Sequence, residues 1–277
     1  MNKKVWFVTG ASSGLGERIT EFALENNNLV IGTSRNLKNL DHLKNKFPKD
    51  FFPIELDLTK SNEINLNLNK ISSEIKGIDV LVNNAGFGTV GAIEEISEEK
   101  NRESMEIHYF SPIKLIKLFL PYMREKKSGS IIQISSHSGF KSTAGFGIYS
   151  ASKFALEGFT EALHQELSPL GIHVHLVELG PFRTNFAGSN LYFSEKTISD
   201  YSNTVGAFKE RIKSVNGKQE GDPIKAAEII YNLVQNKSND LRLVLGKIAL
   251  QTFETKLKEI RENIDRNKTI SESVVFG

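Results

Sequence analysis

Apolar-rich segments, many of them β-branched, recur along the chain at 5–9, 29–34, 51–56, 78–82, 131–134, 172–179 and 241–245 and read as strands. The first, VWFVT, runs without alternation, as suits a strand buried on both faces of a parallel sheet. Between the segments apolar residues return every three or four positions, as on one face of a helix. Leu15, Ile19, Phe22 and Ala23 make one such face; Leu37, Leu40, Leu43 and Phe47 make another. A further helix is predicted between Thr59 and Ile78, one opens at about Ile148, and Pro223 opens another carrying Ala226, Ile229, Ile230 and Leu233. A charged helix over 248–266 closes the chain, and the SESVVFG tail is expected to be mobile. The helical stretch 97–127 carries Met105, Ile107, Phe110, Leu115, Ile116, Leu118 and Phe119, with Pro112 and Pro121 expected to bend or end it. That apolar surface is broader than packing on a sheet requires, so a helix of a second copy is a candidate to cover part of it. The alternation of strand and helix predicts an α/β fold.

Residues 185–222 break the pattern. Phe186, Tyr192, Phe193, Tyr201 and Phe208 are scattered there among polar residues. An aromatic-rich insertion at the carboxyl edge of a sheet reads as a substrate lid; a variable surface loop is the alternative.

The length of 277 residues suits one large domain with a full core. A formal charge of +2 is close to balance and argues for neither nucleic acid nor a membrane surface as partner. The chain has no cysteine, which removes disulfides, thiolate metal sites and thiol catalysis, and fits a cytoplasmic setting. Lys3 and Lys4 precede an apolar run that stops at Thr9-Gly10, too short for a signal core. The chain reads as soluble.

The candidate chemistry lies in GSIIQISSHSGFKSTAGFGIYSASKFALEG, residues 129–158. Tyr149 and Lys153 are spaced i, i+4 and so share one helix face, and Ser136 ends the preceding strand. A fixed ammonium eases ionisation of a phenol; bringing it from about 10 to near neutrality takes about 4 kcal/mol of differential interaction. Such tuning serves a general acid/base. Tyr-x-x-x-Lys is common on helices and Ser-Ser at a strand end is ordinary turn chemistry, so the weight rests on the surrounding segments.

The first strand runs into Gly10-Ala-Ser-Ser-Gly14-Leu-Gly16 and then a helix. Strand, glycine turn and helix aim backbone N–H groups at a phosphate, although a tight βα turn needs no ligand. At the end of the second strand an acidic residue binds the ribose hydroxyl of NAD, whereas an arginine accommodates the extra phosphate of NADP. Here Ser34 is followed by Arg35, which favours NADP over NAD; a solvated loop arginine is the plain alternative. Asp57 and Asn83 end two further strands, with Asp57 equally suited to cap a helix. His173 and His175 share one strand face but lack a third ligand, so no metal is expected.

In order and spacing these segments resemble the short-chain dehydrogenase/reductase superfamily, in its compact single-domain branch. The resemblance rests on Thr9-Gly10-x-x-x-Gly14-x-Gly16, Asp57-Leu58, Asn83-Asn84-Ala85-Gly86, Ser136, Tyr149-x-x-x-Lys153 and Gly180-Pro181-Phe182-Arg183-Thr184. It implies a Rossmann-type, doubly wound parallel β-sheet with helices on both faces, in one domain over 1–277. It implies an oxidoreductase acting on CH–OH donors that interconverts a carbonyl and an alcohol by hydride transfer. Ser136 would hold the substrate oxygen, Tyr149 would pass the proton, and Lys153 would bind the nicotinamide ribose and lower the tyrosine pKa. Gly10, Gly14 and Gly16, with Ser12, Ser13 and Leu15, would approach the pyrophosphate. Asp57 and Leu58 would meet the adenine; Asn84, Ala85 and Gly86 its ribose region; and Pro181, Phe182 and Thr184 the carboxamide and phosphate. A homodimer or homotetramer is implied.

Two departures stand out. His108 takes the place of an asparagine thought to hold a water linking the lysine to solvent, either relaying protons itself or serving as a buried structural residue. Leu179 replaces a proline before Gly180. The expected substrate is a small apolar ketone, aldehyde or secondary alcohol, in a pocket framed by Phe140, Phe146, Phe186, Tyr192 and Phe193. Competing readings are an NAD-dependent alcohol dehydrogenase and a non-catalytic NADP-binding redox sensor.

Overall fold

The computed structural model describes residues 3–60 and 77–276. The predicted helix between Thr59 and Ile78 therefore lies outside the described residues, apart from its flanks. In chain order the elements begin β1 (Val5–Val8), α1 (Gly14–Glu25), β2 (Leu29–Ser34), α2 (Asp41–Lys46), β3 (Phe51–Glu55), β4 (Val80–Asn83) and β5 (Gly88–Val90). They continue α3 (Glu98–Met105), α4 (Ser111–Lys126), β6 (Gly129–Ser136), α5 (Gly147–Leu167), β7 (Ile172–Leu179) and β8 (Leu191–Phe193). The last are α6 (Ala207–Ser214), α7 (Pro223–Gln235), β9 (Arg242–Leu245) and α8 (Lys247–Glu272).

The main sheet has seven strands in the order β3-β2-β1-β4-β6-β7-β9, every neighbouring pair parallel. Helices cover both faces, giving the doubly wound Rossmann-like arrangement. Trp6 and Val8 face one core with α1 and α7, whereas Phe7 faces the other with Leu115, Phe119 and Leu163. Burial on both faces explains why the central strands β1 and β4 read as apolar runs. The strand order reverses between β1 and β4, and ligands of such sheets lie at the carboxyl ends of strands beside that point.

Neither proline ends the long helical stretch. Pro112 sits at the start of α4, and Pro121 lies inside a helix that continues to Lys126. The irregularity falls earlier, in a π turn over Glu106–Phe110. Phe110 and Phe154 remain exposed. The closing helix also runs further than predicted, to Glu272, with only a short tail beyond it. Among the described residues no helix is long and apolar enough to cross a membrane.

The 185–222 insertion is more ordered than its weak periodicity suggests. β8 pairs in parallel with β5 as a small second sheet, and Phe186, Phe208 and Ile212 pack against Val90, Phe146 and Tyr149. Glu95 ties it down from the body. Its buried carboxylate accepts hydrogen bonds from Ala92 N (3.0 Å), Ile198 N (2.9 Å), Ser194 Oγ (3.1 Å) and Lys209 Nζ (2.9 Å). Burial alone would raise its pKa, yet these donors hold it at about 2.

Candidate active site

A cavity of about 1360 Å³ opens along the carboxyl edge of the sheet, from Arg35 past Tyr149 to Phe208 on the insertion. Of the cofactor and catalytic residues named from sequence, all but Gly16 line it.

The glycine turn shows why each glycine is there. Gly10 (φ +66°) and Gly14 (φ +59°) occupy the left-handed region, and a Cβ on them would stand 3.1 Å from Ala85 Cα and 3.2 Å from Thr184 Cβ. Gly16 lies behind the turn: a Cβ there would sit 2.3 Å from both Asn84 Nδ2 and the Gly10 carbonyl. Asn84 needs that space, because its Nδ2 donates to Thr9 O (2.9 Å) and Gly10 O (3.3 Å). Thr9 Oγ1 in turn accepts from Asn84 N and Ala85 N at 2.9 and 3.0 Å. Gly16 thus shapes the turn rather than facing the cavity, and the Asn84 amide clamps β1 to β4. The α1 N-terminus has no side-chain cap at Ser13. Its orphan N–H groups point to a site for an anion such as pyrophosphate, so the cradle fits a dinucleotide.

At the next strand end Ser34 is buried, and Arg35 is exposed and lines the cavity with Asn39 and His42. Among the described residues no carboxylate pairs with Arg35. Asp57 caps a turn, its Oδ1 accepting from Thr59 N and Thr59 Oγ1 at 3.0 and 2.8 Å. Asn83, at the end of β4, turns its side chain into the sheet: its Nδ2 donates at 2.7 Å to Gln133 Oε1 between β4 and β6. His173 and His175 stack at 6.5 Å and bond Asn239 Oδ1 and the Asp240 carbonyl.

Ser136, Tyr149 and Lys153 come together, all buried. β6 delivers Ser136 at its last residue, and α5 presents Tyr149 and Lys153 from successive turns. The Ser136 hydroxyl accepts from Ser138 N at 3.1 Å and lies beside the Tyr149 phenol, where it favours the ionised form. Lys153 Nζ donates to the Ile134 carbonyl at 2.9 Å and lies 5.8 Å from the Tyr149 ring centre. The predicted lowering of the phenol pKa is not what this arrangement gives. Burial pushes it up to about 12, with Ser136 opposing, and burial brings Lys153 down to about 8 against the charge of Glu157. The ammonium meets the ring and a carbonyl, so burial decides the phenol.

His108 sits in the π turn at the floor of the site. Phe87 N–H donates to its Nε2 at 3.3 Å, which leaves the ring proton on Nδ1, donated to Ser152 Oγ at 2.9 Å. Ser152 Oγ passes a hydrogen bond to the Tyr149 carbonyl at 2.8 Å. Burial and then the Lys153 charge hold this imidazole well below its usual pKa. Both nitrogens are committed, so His108 braces the Phe87 loop against α5 as a neutral ring.

Phe146, Phe186 and Tyr192 line the substrate end, joined by Phe208 and Ile212 of the insertion. Phe140 and Phe193, also expected there, do not. Phe140 stacks on Phe253 of α8 at 4.1 Å, and Phe193 packs against the cluster around Val90 and Leu191 under Lys213. Sequence reading missed Glu95 and Lys209, whose pairing spans more than a hundred positions and leaves no periodic trace.

A short chain dehydrogenase family model matches residues 4–192. "Oxidoreductase BOA17" of Botryotinia fuckeliana is 36% identical over 250 residues, covering 90% of each chain. The "3-ketodihydrosphingosine reductase" of Bacteroides thetaiotaomicron is 33% identical over 269 residues, covering 95% of this chain and 96% of its own. A crystal structure of a short-chain dehydrogenase from Streptomyces avermitilis superposes with a TM-score of 0.92 at 40% identity, covering 99% of both chains.

Proposed function

The chain belongs to the short-chain dehydrogenase/reductase family of oxidoreductases, and from that membership we propose that it is an NADP-dependent reductase of apolar ketones or aldehydes. The observation that carries the reading is the Tyr149 phenol, buried among Phe146, Phe186 and His108, beside Ser136 and one turn from Lys153. A phenol held protonated across the physiological range is a proton donor. Alcohol oxidation would need the phenolate, which burial disfavours.

The cofactor, when bound, supplies the hydride. Gly10, Gly14 and the α1 N-terminus would hold its pyrophosphate, and Arg35 the 2′-phosphate. Ser136 would orient the substrate oxygen and Tyr149 would protonate it as negative charge develops there. Lys153, charged below about pH 8, would stabilise that charge and bind the nicotinamide ribose. The aromatic wall of Phe146, Phe186 and Phe208 excludes water and favours an apolar chain beside the carbonyl. A relative whose name describes reduction of a ketone, 3-ketodihydrosphingosine, supports that substrate class. The exposed Phe110 and Phe154 offer a face for a homodimer or homotetramer.

The test is a fluorescence titration with NADPH and NADH, then a panel of apolar ketones and aldehydes with wild type and Tyr149→Phe. Tighter NADPH binding and carbonyl reduction that falls by about 10²- to 10⁴-fold in the variant support the proposal. Reduction that survives the substitution removes Tyr149 as proton donor, and binding of neither nucleotide removes the whole reading.

A further inference from the structure

Directly behind the site lies a buried charge cluster that the reaction as proposed does not use. Glu157 follows Lys153 by one turn of α5 and is buried. Its Oε1 accepts from the hydroxyl of Ser135, the residue before Ser136, and its Oε2 accepts from Arg242 Nη1 at 2.5 Å. The same guanidinium reaches Glu178 Oε1 on β7 and Glu161 Oε1 on α5, and it lies 6.0 Å from the Phe140 ring centre. Ser135 and Glu178 are paired in the β6–β7 register. Gly139 closes the cluster from above: a Cβ there would stand 2.9 Å from Ser135 Oγ and 3.1 Å from Glu157.

Two buried carboxyls on one guanidinium do not both ionise; such a pair holds one proton between them. Glu178 is its natural seat, being fully buried, with no hydrogen-bond partner for Oε2 among the described residues. Burial, then the neighbouring Glu157 charge, pushes Glu178 up to about 8. Burial raises Glu157 as well, but the Ser135 hydroxyl and Arg242 oppose it, and with one oxygen on each of them Glu157 is the partner left as the anion. The groups around Lys153 are then Tyr149 and Glu157 on its own helix, Ser136 and the Ile134 carbonyl on β6, and neutral His108 on the π turn. Glu178 and Arg242 stand behind Glu157 on β7 and β9.

We propose that Glu157 is a positioning residue for the Ser136–Tyr149–Lys153 site: ionised on Arg242 while Glu178 keeps the shared proton, it anchors the end of β6 through Ser135 and holds the charge of Lys153. The inference rests on the reading of those three residues as the reactive ones, but its test does not need turnover.

Reductive methylation with formaldehyde labels only the unprotonated amine, so the pH dependence of Lys153 labelling, read by mass spectrometry, reports its charge directly. Removing the Glu157 anion makes the ammonium easier to lose, so Glu157→Gln is expected to move the labelling midpoint down by about one pH unit. The alkaline limb of kcat should move with it, at unchanged NADPH affinity. Glu178→Gln keeps the group neutral, as the proton does in wild type up to about pH 8, and is expected to move the midpoint by a smaller step than Glu157→Gln. A folded Glu157→Gln with an unmoved midpoint, or an equal shift in Glu178→Gln, overturns the proposal. Should Glu157→Gln fail to fold, Arg242→Lys decides: loss of the guanidinium fork shifts the midpoint the same way by a smaller step, and no shift refutes the role. Wild type inactive on every carbonyl would sink the assigned reaction while the labelling result still settles the charge on Lys153.

Discussion

The ammonium of Lys153 stands 5.8 Å from the centre of the Tyr149 ring and donates to the Ile134 carbonyl at 2.9 Å. Helical spacing alone brings the two side chains onto one face, but burial decides how each titrates. Lys153 falls to about 8 and Tyr149 rises to about 12. In the proposed reaction this separation would divide the labour, one group supplying charge and the other a proton.

A pH profile follows. Because the Lys153 pKa is depressed, its ammonium is present below about 8 and lost above. Rates of carbonyl reduction are expected to be level near neutrality and to fall toward a tenfold loss per pH unit above that point. His108, held neutral by burial, adds no step near its ordinary pKa. A profile level well past pH 8 would show that the ammonium takes no part.

Arg35 is exposed at the end of β2 and free of carboxylate partners among the described residues. Hydrogen bonds to charged groups contribute about 1.5–3 kcal/mol, so Arg35→Ala should weaken NADPH binding roughly 10- to 100-fold while sparing NADH. Parallel fluorescence titrations check this. Equal losses for the two nucleotides would reassign the corner to NAD or to neither.

His108 carries a prediction about stability rather than turnover. Truncation to Ala strands Phe87 N–H and leaves a cavity under Tyr149, which should cost about 2–4 kcal/mol. Urea unfolding of His108→Ala measures it. A variant as stable as wild type, but with a new pH-dependent step, would restore the relay role that the two committed nitrogens argue against.

The parallel sheet was legible because its central strands, buried on both faces, carry no alternation, and the helices between them repeat every three or four residues. The glycines of the first turn were legible as a phosphate cradle, but the reason for Gly16 was not: it answers to Asn84, which arrives from β4 by tertiary folding. Tyr149 and Lys153 could be paired from spacing alone, whereas the direction of their pKa shifts depends on burial, which no local pattern encodes. Aromatic residues marked the pocket too generously. Phe140 and Phe193 have the chemistry of a lining but pack on Phe253 and on the cluster around Val90 and Leu191.

The insertion offers the last test, because one carboxylate holds it. Glu95 gathers donors from Ala92, Ile198, Ser194 and Lys209, and the last three belong to the 185–222 segment. Glu95→Gln turns an all-acceptor group into one that presents its own N–H to those donors and leaves Lys209 without an anion. The segment carries Phe186 and Phe208 against Tyr149, so substrate KM should rise about tenfold while NADPH affinity, set by the glycine turn and Arg35, stays put. Stability should fall by about 2–4 kcal/mol at neutral pH. The sign with pH is fixed: the folded pKa is depressed from 4.5 to about 2, so the stabilisation is complete above the unfolded value and is lost as pH falls through about 2. Melting curves of wild type and variant should therefore converge on acidification below about 4.5. Curves that stay parallel to the acid end would mean that Glu95 holds the lid by shape and not by charge.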